Sequence, residues 1–157
     1  MLFLIYLLNY YYWLNNNTLI NKLKLTNINY KFKTFGILSA IFLAIHSIFL
    51  GIKFDIQIYK LMRRVVLLLF IIFEIIAQGI LVFHYYKVKE KIQKLINKKI
   101  LFLKIILVSV LATVAILSLP ILLDKGNTHF KHGLEWNYFV GVILFYLFSR
   151  FFWRRTT

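Results

Sequence analysis

The chain has 157 residues, 61% of them hydrophobic and 18% aromatic, with a mean hydropathy of +0.76. This lies well above the apolar share of a soluble domain, about 45–50%, and a single proline with six glycines leaves little for a loop-rich or β-barrel design. The absence of cysteine excludes disulfides, thiolate zinc sites, iron–sulfur clusters and cysteine nucleophiles.

A net charge of +15 would point to nucleic acid in a soluble protein. Here the charges fall between apolar runs, which assigns them to orientation and to anionic lipid headgroups, and no nucleic-acid partner is expected. The bias to Ile, Leu, Phe, Lys, Asn and Tyr resembles that of an AT-rich genome or an organelle.

In chain order, Met1 to Leu14 is apolar but shorter than the roughly 20 residues of a span. Tyr10, Tyr11, Tyr12 and Trp13 suit the headgroup level, so an interfacial helix is predicted, with a true span as the alternative. Without a basic leader or a small-residue cleavage site, it makes a poor signal peptide. Asn15 to Lys33 reads as a basic loop. Four spans follow: Phe35 to Ile52, Val65 to Tyr86, Ile100 to Leu123 and Trp136 to Trp153, all continuous rather than alternating. Phe54 to Arg64 and Asp124 to Glu135 read as loops. Lys104 is close enough to the start of the third span to snorkel, and Pro120 falls in its last turn.

Lys87 to Ile100 places Val88, Ile92, Leu95, Ile96 and Ile100 at helical spacing with lysines opposite. An amphipathic helix is predicted there, with anionic headgroups along Lys87–Lys99 as its partner and a solvated basic connector as the plainer alternative. With four spans, fourteen Lys and Arg residues fall on one side and six on the other. The positive-inside rule then puts the Asn15–Lys33 segment and the C-terminus on the cytoplasmic or equivalent side, in a bacterial inner membrane or an organelle membrane.

Glu74 is the only acid inside the longest run, and Gln78 shares its face at i+4. An ionisable group at that depth costs about 2.5–3.5 kcal/mol on insertion scales, so it should face the bundle. A short antiparallel connection sets His46, with Ser39 on the same face, at a similar depth, which predicts a buried His46–Glu74 hydrogen bond. Ser109 and Thr113 would extend the polar seam. The cluster His46, Glu74 and Gln78 reads either as a proton-handling site or as polar glue between helices. Haem held by His46 and His84 is disfavoured, because the two fall in different halves of the bilayer; His84 fits an interfacial position beside Tyr85 and Tyr86. His129, His132 and Glu135 form a polar site at i, i+3, i+6 on the extracytoplasmic side; with Asp124 they offer metal ligands or a lipid-modifying site, readings that the interrupting Gly126 and Gly133 disfavour, and Glu135 suits the first turn of the last span. No nucleophile arrangement, phosphate-binding loop or paired-carboxylate site is present, so no cofactor, metal or catalytic residue is expected.

The stretch His132 to Trp153 opens on the pair Glu135–Trp136 and closes on an aromatic–basic tail. It resembles the last span of the damage-regulated autophagy modulator (DRAM)-like family, which includes N-terminal domains of cell-wall-biogenesis proteins; the run around His46 is a fainter echo. The resemblance implies a polytopic membrane protein in lipid or membrane homeostasis without established catalytic residues. That family usually has six spans, against four here.

The expected fold is therefore an all-α, integral membrane bundle of four transmembrane helices. Residues 1–34 form an N-terminal interfacial helix and basic loop, and residues 35–157 the helical domain. The expected function is non-enzymatic, in association with lipid or a membrane protein partner; a stripe of Gly141, Phe145 and Ser149 would meet another helix, or else pack inside the bundle. The alternatives are an accessory subunit of a larger respiratory-type complex and a small proton-coupled transporter using Glu74 and His46.

Overall fold

A chain that crosses lipid must satisfy its backbone N–H and C=O groups internally, and continuous apolar runs do so as helices. The computed structural model describes residues 2–22, 31–51, 57–93, 95–123 and 128–153. These form five helices and no strand: α1 (Leu2–Lys22), α2 (Lys31–Gly51), α3 (Gln57–Val88), α4 (Lys98–Leu123) and α5 (Thr128–Phe152). In α2, α3 and α4 the apolar stretch is long enough to cross a membrane, whereas α5 carries a shorter one, Trp136–Phe152.

The helices run further than the sequence suggested. α1 does not end at Leu14 but continues through the asparagines to Lys22. Asparagine is a poor helix former, but Asn16 Nδ2 donates to the Tyr12 carbonyl at 2.9 Å and Thr18 Oγ1 to that of Leu14 at 2.7 Å. Trp13 and Ile20 are buried, so packing overrides propensity. α3 begins at Gln57, inside the predicted Phe54–Arg64 loop. There the Tyr59 hydroxyl donates to the carbonyl of Phe49, one of the last four that α2 leaves open, and the two rings meet edge to face. α5 begins at Thr128, inside the predicted Asp124–Glu135 loop. Glu135 is therefore its eighth residue rather than in its first turn, and Gly133 sits within the helix.

The predicted amphipathic helix over Lys87–Ile100 is replaced by a turn. α3 stops at Val88, Ile92 N and Lys91 N bond to the Val88 carbonyl, and Asn97 caps α4 by accepting from Lys99 N at 3.1 Å. Of the five apolar positions, Ile92 and Ile96 are buried and Val88, Leu95 and Ile100 half-buried.

The chain divides into two compact units, residues Met1–Leu81 and Val82–Thr157. In the first, α1 packs along α2. Gly36 makes the close approach possible: a Cβ there would lie 2.3 Å from Cδ2 of Trp13, so the indole rests on bare backbone beside Phe32. α3 meets α2 through Phe73, which stacks on Phe35 at 5.9 Å and on Phe42 at 5.5 Å. In the second unit α4 packs along α5, with Leu111 against Gly141 and Phe145 fully buried. Asn97 N donates to the Phe152 carbonyl at 2.9 Å, and Tyr85 packs on Phe152 at 4.9 Å.

Candidate functional site

In the first unit the helices converge on one carboxyl group. Glu74 is fully buried at the middle of α3, one residue after the stacked Phe73. Its Oε1 accepts from Gln78 Nε2 at 2.9 Å, the i+4 pair expected from the sequence. Its Oε2 lies 2.6 Å from Ser39 Oγ on α2 and accepts from Asn9 Nδ2 on α1 at 3.2 Å. Asn9 Nδ2 is also 3.5 Å from Ser39 Oγ, and Ser39 Oγ lies 2.8 Å from the Gly36 carbonyl. Asn9, Ser39, Glu74 and Gln78 are all fully buried, and the oxygens Asn9 Oδ1 and Gln78 Oε1 have no hydrogen-bond partner among the described residues.

The predicted His46–Glu74 bond is not formed. His46 is buried on α2 beside Arg63, and its Nδ1 has no partner among the described residues. Seven residues separate it from Ser39, about 10 Å of helix. Because α3 starts at Gln57, the connection to α2 is shorter than expected, and this slides Glu74 away from His46 and towards Ser39. Asn9 escaped the sequence reading because it stands in a stretch too short to count as a span. The signal was present all the same, since it is the one polar residue between Met1 and the tyrosines.

In the second unit Lys104 does not snorkel. It is 1% exposed, donates from Nζ to Ser149 Oγ at 2.6 Å, and lies 4.3 Å from the Phe145 ring centre and 5.3 Å from that of Phe152. Two aromatic faces stand in for part of the lost hydration. Gly141, Phe145 and Ser149 thus form one stripe, directed at α4. Ser109 and Thr113 are exposed and bond along their own helix, Thr113 Oγ1 to the Ser109 carbonyl, and add nothing to the buried seam. His84 belongs to this unit, half-buried in the last turns of α3. Tyr86, Lys89, Lys98, Leu101, Phe102 and Ile105 line a cleft of about 220 Å³ that combines two ammonium groups with an apolar wall. Lys89 Nζ rests 3.9 Å from the Tyr86 ring centre.

The side chains of His129, His132 and Glu135 lie outside the described residues. Among the described ones, no group of three or more His, Cys, Asp or Glu side chains is placed to hold a metal.

Comparison with known families, curated proteins and solved structures gives no match. Any function rests on the geometry alone.

Proposed function

We propose that this chain is a non-enzymatic, multi-pass integral membrane protein that works by holding anionic lipid. The cleft at Lys89 and Lys98 carries this reading. Lys89 and Lys98, together with Leu101, Phe102 and Ile105 in the same lining, match a headgroup phosphate and the first methylenes of an acyl chain. The apolar outer face of α4, with Phe102, Ile106, Val110, Ile116 and Leu117 exposed, favours a lipid surround for the same helix.

Charge at the cleft is worth about 1 kcal/mol per lysine near an anionic surface. The double change Lys89→Gln, Lys98→Gln should therefore lower the anionic lipid retained by the detergent-purified protein by about thirtyfold, as read by native mass spectrometry. Retention equal to wild type would remove the lipid reading. A neighbouring protein recovered stoichiometrically in its place would favour the accessory-subunit alternative.

The Glu74 cluster favours a second reading, a small carrier. It keeps Glu74 from the transporter alternative weighed on sequence and replaces His46 with Asn9 and Ser39. Proton or solute flux in reconstituted vesicles that survives Glu74→Gln unchanged would dismiss it.

A further inference from the structure

We propose that Asn9, Ser39, Glu74 and Gln78 form a buried binding site for a monovalent hard cation of the sodium class. It depends on the reading above only for its place inside a membrane. The ligand set is oxygen throughout: the Glu74 carboxylate, the Ser39 hydroxyl, and the amide oxygens of Asn9 and Gln78. Oxygen donors select hard cations over soft ones. A single carboxylate supplies one negative charge, which a monovalent ion neutralises. A divalent ion would leave a net charge at a depth where charge is expensive.

The amides give the second observation. Asn9 and Gln78 each turn one polar atom towards Glu74 and leave the amide oxygen buried without a partner among the described residues. Two unmet acceptors beside one carboxyl group are costly in a dry interior. Terminal amide torsions are broad, so rotation of either amide brings its oxygen to the carboxylate side, where a cation would meet it. The groups come from three helices, α1, α2 and α3, so the ion would close the first unit around itself.

Dicyclohexylcarbodiimide, which reacts with protonated carboxyl groups in apolar surroundings, reads the site directly. The full-length protein in detergent or vesicles is treated with it in sodium chloride or in choline chloride at equal ionic strength. Mass spectrometry then follows the adduct at Glu74. At sodium ten times its dissociation constant the free site falls to about a tenth, so labelling should slow about tenfold. Glu74→Gln should take no label. Gln78→Leu and Asn9→Leu keep the carboxyl group, and should keep the label while losing the protection by sodium.

Equal labelling in sodium and choline over a titration to molar salt overturns the proposal and leaves a proton-only or purely structural carboxyl group. If wild type takes no label, its melting temperature decides: a rise specific to sodium and lost in Gln78→Leu sustains the site, and no rise overturns it. Failure of membrane placement shows separately, as release of the chain by alkaline carbonate.

Discussion

At the residue scale, Glu74 shows how a costly group is kept. Three neutral side chains from three helices are trained on it, and each needs it as much as it needs them. Glu74→Leu should therefore cost more stability than Glu74→Gln, by about 1–3 kcal/mol, because leucine leaves the Gln78 amide unmet and Asn9 and Ser39 only the weaker bonds among themselves and to Gly36, whereas glutamine still offers an acceptor. Reversible unfolding in mixed micelles measures the difference, and equal losses would count against the shared network. The pairing of Glu74 with Gln78 was legible in the sequence because i and i+4 fix it inside one helix. The partner on α2 was not. It depends on how many residues join the two helices, and that follows from Tyr59 docking on Phe49, a contact no periodicity reveals. Lys104 was misjudged for a similar reason: hydropathy places a lysine near a helix end, but only the facing Phe145, Ser149 and Phe152 make burial tolerable.

At the element scale, three glycines separate three kinds of helix surface. At Gly36 an added Cβ meets the rigid Trp13 indole at 2.3 Å, at Gly141 it meets the flexible end of Leu111 at 2.5 Å, and at Gly133 it meets nothing within 4 Å. Alanine should destabilise by about 1–3 kcal/mol at Gly36. It should cost less at Gly141, where a methyl group can swing away. At Gly133, mid-helix and exposed, it should stabilise by up to about 1 kcal/mol. Melting temperatures of the three variants test that order. The helical class and the cores of α2, α3 and α4 were readable from apolar runs alone. Helix ends were not: polar Asn15 to Asn17 join α1, where Asn16 bonds to the Tyr12 carbonyl, and Thr128 to Gly133 join α5.

At the scale of the whole molecule, α3 is continuous from Gln57 to Val88, so its two ends lie on opposite sides of any membrane it crosses. The chain has no cysteine, so single cysteines can be introduced without first removing any. An impermeant maleimide should label Ile58→Cys from one side and Lys87→Cys from the other. Labelling of both from one side would show that α3 does not cross. The same helix also acts as a gauge. Between Arg64 and Lys87 it holds 22 residues without a lysine or arginine, about 33 Å of helix. That length spans a core of about 30 Å with roughly 25° of tilt, whereas a core of about 27 Å would lean the helix by roughly 35° or draw one charged end inward. Bilayer thickness is thus a variable to which α3 is mechanically coupled, and Glu74, near its midpoint, stays centred as the helix leans.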